Sequence, residues 1–226
     1  MELNKHDWNF GQHVVPTFDD HVSKSVPFYN EIHKMINSIS GWFIRERTNV
    51  YDIGSSTGTL LSRLKDTYNK EVEYIGIDNS EDMVAASLDT LSEVQIKLAD
   101  ITNDYSFENA SLIMSVLTLQ FIREDLRQNV INNIYEGLNS GGAFILVEKV
   151  LGNDAKFNEM WADLYHDLKL ENGLSKEHIF DKSRSIRGVM NPVTVEENIE
   201  MIKSAGFEKI DTFFKWNNFI GVIAIK

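Results

Sequence analysis

One short run of small and acidic residues carries the strongest chemical signal in the sequence: Asp52-Ile53-Gly54-Ser55-Ser56-Thr57-Gly58. The run lies between a strand candidate and a helix candidate. Small residues at such a turn let a ligand approach the backbone, and the free N–H groups at the start of the helix attract a negative group. Because the run lacks the middle glycine of the dinucleotide fingerprint G-x-G-x-x-G, it favours a nucleoside-type ligand over a dinucleotide.

Two aspartates follow the next two strand candidates. Asp78 comes 20 residues after Gly58, at a strand end where a carboxylate can accept hydrogen bonds from both ribose hydroxyls. Asp100 follows the third strand candidate. Each residue alone is common in turns. Because the carboxyl ends of parallel strands meet at one edge of a sheet, the three signals together predict a nucleoside-type ligand at that edge.

The elements that must position these residues alternate between strands and helices. Hydrophobic patterns predict strands at residues 50–53, 73–78, 94–98, 112–116, 143–150, 207–215 and 219–225. Helices are predicted at residues 18–46, 59–68, 81–91, 124–138, 155–170 and 195–205. The alternation implies a parallel sheet covered by helices on both faces. The last two strands, joined at Asn217-Asn218, predict an antiparallel hairpin at the sheet edge.

Two further segments are predicted to cap the ligand edge. The first is the N-terminal helical segment 1–47, where Thr17 is placed to cap a helix and Pro27 divides the segment in two. The second is a helical insertion at residues 151–193. Within it, three apolar residues at helical spacing predict a helix face buried in the core: Met160, Trp161 and Leu164.

The composition is that of a globular protein, and it predicts a single domain over residues 1–226, with 42% hydrophobic and 25% charged residues. The most apolar segment, 143–151, is too short to span a membrane, and residues 1–10 do not resemble a signal peptide. Cysteine is absent, which excludes disulfides and thiol nucleophiles and fits a cytoplasmic location. The net charge of −12 disfavours direct, tight binding to nucleic acid, because that binding depends on neutralising phosphates.

The sequence gives no support for a metal centre. The six histidines are scattered, and no H-E-x-x-H motif is present. A phosphate-binding Walker loop and a G-x-S-x-G nucleophile elbow are also absent. No metal ion is therefore expected.

The order of the motifs resembles that of class I S-adenosylmethionine (SAM) methyltransferases. The matching stretches are Asp-x-Gly-x-x-x-Gly at 52–58, Ile77-Asp78-Asn79-Ser80, Ala99-Asp100-Ile101 and Gly137-Leu138-Asn139-Ser140-Gly141-Gly142. This resemblance implies an α/β three-layer sandwich. Its sheet would be Rossmann-like, seven-stranded and mostly parallel, with a C-terminal antiparallel hairpin.

A closer resemblance, from Trp8 onward, is to the carboxy-SAM synthase family of the tRNA wobble-uridine pathway. It is carried by Lys24-Ser25-Val26-Pro27-Phe28-Tyr29, Val50-Tyr51-Asp52-Ile53-Gly54, Ile77-Asp78-Asn79-Ser80, Thr118-Leu119-Gln120-Phe121, Ile134-Tyr135-Glu136-Gly137-Leu138-Asn139, Glu148-Lys149, His166-Asp167-Leu168-Lys169, Asn172-Gly173 and Ala205-Gly206-Phe207-Glu208. That family uses prephenate to convert SAM into carboxy-SAM, which a partner enzyme transfers to tRNA. The synthase itself need not bind tRNA, and the resemblance suggests a homodimer.

The resemblance also implies a set of SAM-binding residues. Positions that match the family's contacts are Tyr29, Gly54, Ser55, Ser56, Asp78, Asn79, Asp100 and Ile101, and Gly58 and Val116 complete the predicted binding set. Asp78 would bind the ribose, Asn79 the edge of the adenine, and Asp100 with Ile101 the adenine amine and one ring face. Tyr29 could close over the methionine tail, although a packed core tyrosine is the alternative.

Two positions depart from the family pattern. Val116 stands where the family has a ligand-contacting asparagine. Ser183 aligns with an arginine that binds the extra carboxylate of carboxy-SAM, and Arg184 follows it. A hydroxyl is a poor substitute for a bidentate guanidinium. The departures support the hypothesis that the chain has changed from carboxy-SAM synthesis to ordinary methyl transfer, or to a changed ligand.

Methyl transfer from a sulfonium needs alignment and, in some cases, a general base. The candidate catalytic residues are Tyr165, His166 and Arg184, with Asp167 as a further base. His166 could titrate near neutral pH or simply lie on a solvated helix face. Arg184 and Arg187 could anchor an acidic substrate.

Three functions remain open at this stage. The leading prediction is methyl transfer from SAM to a small acceptor, an acidic one included. The first alternative is carboxy-SAM synthesis from SAM and prephenate, and the second is a non-catalytic SAM-binding partner subunit.

Overall fold

A computed structural model describes residues 18–68, 70–90 and 94–226. In this part of the chain, seven strands form one sheet in the order β3-β2-β1-β4-β5-β7-β6. The strands are β1 Asn49–Ile53, β2 Glu73–Asp78, β3 Gln95–Leu98, β4 Ala110–Val116, β5 Leu138–Lys149, β6 Lys209–Trp216 and β7 Phe219–Ile225. Strands β1 to β5 pair in parallel, while β7 pairs antiparallel with both β5 and β6. The predicted fold class, including the C-terminal hairpin, is confirmed.

Helices cover the described sheet as the alternation predicts. They are α1 Phe18–Ser25, α2 Tyr29–Ser40, α3 Thr59–Thr67, α4 Glu81–Thr90, α5 Glu124–Gly137, α6 Ala155–Glu171, α7 Lys176–Ser185 and α8 Val195–Ser204. Pro27 lies in the break between α1 and α2, where its ring ends the first helix. The predicted capping role of Thr17 and the segment before it lie outside the described residues.

The parallel register explains why the predicted site residues converge. Ile53 is paired with Ile77, and Asp78 is paired with Leu98. Strands β1, β2 and β3 therefore end side by side, and the loops that follow them share one edge. Strands β1, β2, β4 and β5 are anchored by buried side chains on both faces of the sheet, as apolar strands in a parallel sheet require.

The prediction that Met160, Trp161 and Leu164 lie in the core is wrong. Helix α6 has no buried residue, and Met160 and Leu164 are 41% and 44% exposed. Trp161 stacks on Phe157 with 6.0 Å between ring centroids. The helix packs against α1 and α7, which leaves an apolar stripe uncovered. Helical spacing reveals that a face is apolar, but it does not reveal what covers the face.

No helix in the described ranges is long and apolar enough to cross a membrane.

Candidate ligand-binding site

A large cavity opens at the carboxyl edge of the parallel strands. Its volume is about 1350 Å³, above the range of roughly 300–1,000 Å³ that is usual for small-molecule pockets. The loops after β1, β2, β3 and β4 form one side, and residues of α1, α2, α6 and α7 form the other. The cavity has room for more than a nucleoside.

The loop after β1 forms a tight backbone cradle. Gly54 has a φ of 68°, and the N–H groups of Gly54 and Ser55 donate to the carbonyl of Ile77 at 2.7 and 3.1 Å. A Cβ atom on Gly54 would collide with Oγ1 and Cγ2 of Thr118. Glycine is therefore required here both for its backbone conformation and for the space between this loop and the loop after β4.

Gly58 does not line the cavity. It precedes α3 with a φ of 74°, and its N–H donates to the carbonyl of Ser55 at 2.8 Å. Gly58 shapes the turn that presents Ser55 and Ser56, which do line the cavity. The direct ligand contact predicted for Gly58 stays a prediction.

Asp78 is held in a fixed orientation at the end of β2. Its Oδ2 accepts from the N–H of Ser56 and its Oδ1 from the N–H of Ser80, both at 2.9 Å. Burial raises the pKa of Asp78, and these backbone donors oppose the rise. A carboxylate fixed in this way can also accept two ribose hydroxyls through its remaining lone pairs.

A second carboxyl group lies next to Asp78. Asp52 is 3% exposed and faces the same cavity. Burial, together with the nearby Asp78, raises the pKa of Asp52 to about 8. A cationic ligand is favoured here because its positive charge stabilises the ionised form of both acids. SAM, with its sulfonium and ammonium groups, fits this end of the cavity.

The other predicted SAM contacts also border the cavity: Tyr29, Asn79, Asp100, Ile101 and Val116. Asp100 accepts from the N–H and hydroxyl of Thr102 at 2.9 and 2.7 Å. The ring centroids of Tyr29 and His33 are 4.2 Å apart. Tyr29 therefore packs against a neighbouring side chain and also lines the cavity. These locations agree with ligand binding, and the individual contacts stay predictions.

Glu148 on β5 holds the loop after β4 in place, a role that the sequence analysis missed. This side chain is 2% exposed. Its carboxylate accepts from the N–H groups of Thr118, Leu119 and Gln120 at 3.1, 3.0 and 2.8 Å. Burial raises the pKa of Glu148 to about 8, while these donors and Arg127 lower it. An acid inside an otherwise apolar strand was the available sequence signal.

The part of the cavity next to β5, α6 and α7 carries lysines that the sequence analysis also missed. Lys149, Lys169 and Lys182 all line it. The ammonium groups of Lys149 and Lys169 lie 5.0 and 3.9 Å from the centre of the Tyr165 ring. Burial lowers the pKa of all three lysines, to about 8 for Lys169 and about 7 for Lys182, and each of these two is also lowered by a neighbouring lysine.

The predicted catalytic residues differ in their surroundings. Tyr165, His166 and Arg184 line the cavity. Burial raises the pKa of Tyr165 far above neutrality, so its phenol stays protonated and cannot act as a base. Burial and the nearby lysines lower the pKa of His166, so its imidazole is neutral and can accept a proton. Asp167 does not line the cavity.

Ser183 and Arg184 both reach the cavity from α7, as does Arg187 beyond the helix end. All three residues are exposed. The guanidinium of Arg184 lies 5.5 Å from the centre of the Phe180 ring. A charged group exposed to solvent interacts more weakly with an anion than a buried one does, because water raises the effective dielectric constant.

Comparisons with known proteins place the chain among SAM-dependent enzymes. A family model described as a methyltransferase domain matches residues 50–142. The chain is 50% identical over 228 residues to the carboxy-S-adenosyl-L-methionine synthase of Staphylococcus epidermidis, with 100% of each chain covered. It is 39% identical to the protein of the same name from Methylococcus capsulatus, covering 97% of this chain and 94% of that one.

A solved structure agrees with the fold. Phosphoethanolamine N-methyltransferase 2 of Haemonchus contortus, in complex with SAM, matches with a TM-score of 0.61 and 16% identity. The match covers 88% of this chain and 52% of that one.

Proposed function

We propose a reaction for this chain from one premise: the chain belongs to the family of carboxy-S-adenosyl-L-methionine synthases, which have the SAM-dependent methyltransferase fold. The protein is a SAM-dependent transferase, and SAM is its cofactor. The reaction that we propose is the conversion of SAM and prephenate into carboxy-SAM, for use in modification of the tRNA wobble uridine.

The observation that carries this proposal is the polarity of the cavity. The acidic end of the cavity is formed by Asp52 in β1 and Asp78 at the end of β2. The basic end is formed by Lys149 at the end of β5, two strands from β1, and by Lys169 of α6 and Lys182 of α7. SAM brings positive charge to the acidic end, whereas prephenate and the new carboxylate of carboxy-SAM bring negative charge to the basic end. A buried charge costs several kcal/mol unless it is paired, so each end favours a ligand of opposite sign.

Mass spectrometry tests the proposed reaction directly. The purified protein is incubated with SAM and prephenate, and the bound and free nucleosides are released with acid and analysed. We expect a species heavier than SAM by one carboxylate unit, formed only when both substrates are present. Absence of this species, with the protein folded and binding SAM, would refute carboxy-SAM synthesis.

Methyl transfer is the second candidate, and two positions favour it. Val116 in the cavity wall offers no side-chain hydrogen bond, and Ser183 offers a hydroxyl where the family has an arginine. The neutral imidazole of His166 could accept a proton from a methyl acceptor. Recovery of only SAM or S-adenosylhomocysteine, with no prephenate turnover, would support this candidate and call for a screen of acceptors.

Ser183→Arg tests whether this position selects the ligand. We expect the ratio of affinities for carboxy-SAM over SAM to rise by about tenfold, since one added charge-assisted hydrogen bond contributes roughly 1.5–3 kcal/mol and the site is partly open to solvent. Calorimetry with both ligands measures the ratio. Ser183→Gln adds length without charge and is the control; an unchanged ratio in Ser183→Arg would show that the position does not face the carboxylate.

The state of assembly is a further proposal. A second copy of the chain could cover the exposed apolar stripe of α6, which includes Met160 and Leu164, and the family resemblance suggests a homodimer. We expect light scattering to give twice the mass of the chain, and Leu164→Glu to reduce it to the monomer mass. Binding of tRNA is a separate property. The net charge of −12 supports the proposal that this protein does not bind tRNA itself and that a partner enzyme does so.

A further inference from the structure

Three lysines from three different elements line the cavity near the half-buried Tyr165, two of them over its ring and the third close to Lys169. Lys149 ends β5, Lys169 lies in the last turn of α6, and Lys182 lies on α7. The ring of Tyr165 packs edge-on against Phe219, with 5.2 Å between centroids, and this contact fixes the surface over which the ammonium groups of Lys149 and Lys169 lie. The three cations therefore share one wall of the cavity.

Two of the three lysines have no carboxylate partner. Within the described residues, neither Lys149 nor Lys169 forms an ion pair with a carboxylate. Cation–π contact with Tyr165 offsets only part of the cost of removing an ammonium from water. An anionic ligand would supply the missing charge.

The neighbouring groups do not supply that charge. His21 on α1 and His178 on α7 approach each other with Nδ1 and Nε2 3.2 Å apart. Burial and the nearby Lys182 and Lys169 lower the pKa of His21 to about 4, so this histidine is neutral at physiological pH. Acidic residues do lie in this region: Asp181 lines the cavity, and Asp163 and Asp167 of α6 act on the neighbouring His166. In the described part of the chain, none of them forms an ion pair with Lys149 or Lys169.

We infer that Lys149, Lys169 and Lys182 form an anion subsite that binds a carboxylate of the second substrate. The inference rests on the proposed function and names the residues that recognise the dicarboxylate. Lys149 ends β5, which lies two strands from the β1 that carries Asp52, so a carboxylate held by the lysines would place the rest of the substrate towards the methionine tail of SAM. Arg184 and Arg187, which the sequence favoured for this role, lie at the exposed rim.

Matched lysine variants test the subsite. Prephenate is titrated calorimetrically into Lys149→Gln and Lys169→Gln in the absence of SAM, and SAM is titrated in separate runs. We expect prephenate to bind at least tenfold more weakly, because each variant removes a charge-assisted contact. SAM affinity should stay within about twofold. Lys169→Arg, which keeps the charge, should recover part of the affinity for prephenate.

The controls are lysines on the same helices that do not line the cavity. Lys156 on α6 and Lys176 on α7 are exposed, and Lys156→Gln and Lys176→Gln should bind both ligands as the unmodified protein does. Prephenate affinity that is unchanged in Lys149→Gln and Lys169→Gln would overturn the inference. An equal loss of SAM affinity would also overturn it, because the lysines would then belong to the SAM site or to the fold.

The pH dependence of prephenate affinity is an independent test of the lysine subsite. Lys169 and Lys182 lie near His21, which contacts His178. Lys149 and Lys169 lie near His166, and Asp181 lines the same cavity. Burial and neighbouring lysines lower the pKa of Lys169 to about 8 and that of Lys182 to about 7. A bound carboxylate raises these values, so binding takes up protons above pH 7. Prephenate affinity should fall as the pH rises from 7 to 9, since its carboxylates are already ionised throughout. Affinity that rises over this interval would contradict the assignment.

Failure of the subsite and failure of the reaction give different results. If the unmodified protein makes carboxy-SAM and the lysine variants keep its KM for prephenate, the subsite is wrong and the reaction stands. If no carboxy-SAM forms, yet the lysine variants still lose prephenate binding, the subsite stands and the reaction is wrong.

Discussion

Replacement of Asp78 by asparagine is expected to weaken SAM binding by at least a hundredfold. The carboxylate at this position is fixed by the N–H groups of Ser56 and Ser80, each at 2.9 Å, and would accept both ribose hydroxyls as well. Asparagine replaces one of its oxygens with a donor, which faces another donor. Loss of two hydrogen bonds to a charged group costs roughly 3–6 kcal/mol, and calorimetry with SAM measures the loss.

A surface acid close to Asp78 provides the control for this effect. Glu81 begins α4 and is exposed, so Glu81→Gln should bind SAM normally. Thermal unfolding of Asp78→Asn separates a lost ligand contact from a damaged loop. A variant that is folded, unfolds at nearly the usual temperature and still binds SAM with full affinity would refute the ribose assignment.

The sheet and its ligand edge could be predicted from the sequence because local patterns specify them. The run at 52–58 and Asp78 both follow short apolar strands, and a parallel sheet brings such strand ends together. The helix predicted from residue 195 begins there as α8, where Thr194 and Glu197 form a capping box. These features depend on residues near one another in the chain.

The lysine wall and the anchor Glu148 could not be predicted because their partners are distant in the sequence. Glu148 binds N–H groups about 30 residues away. Lys149 and Lys182 are separated by a helix and a loop, and no periodicity links them. Hydrophobic spacing also misled the assignment of Met160 and Leu164, because an apolar stripe looks the same whether it faces a core or a partner.

Substitution of Glu148 by alanine is expected to have the largest effect on stability. Three backbone N–H groups would lose their acceptor in a site closed to water. A buried donor left without a partner costs about 1–3 kcal/mol, so we expect a loss of at least roughly 3 kcal/mol in the free energy of unfolding. Urea denaturation measures it, and Glu136→Ala, an exposed site on α5, is the control.

Loss of Glu148 should disturb both the Gly54 turn on the SAM side of the cavity and the segment after α7 on the lysine side. The Gln120 carbonyl accepts from the Asn191 N–H at 2.8 Å, and the buried Arg127 bridges the carbonyls of Gln120 and Asn191. Asn191 follows the segment that leaves α7, while Thr118 packs against the Gly54 turn.

Glu148→Gln is the more conservative probe of this coupling. It keeps one accepting oxygen, so the chain should remain folded while the loop after β4 loses part of its anchorage. Because that loop contacts both the Gly54 turn and the segment beyond α7, SAM and prephenate should weaken together. The lysine variants, by contrast, should weaken prephenate alone. Normal binding of both ligands in Glu148→Gln would show that the loop holds its position through Arg127 and the sheet, without the carboxylate.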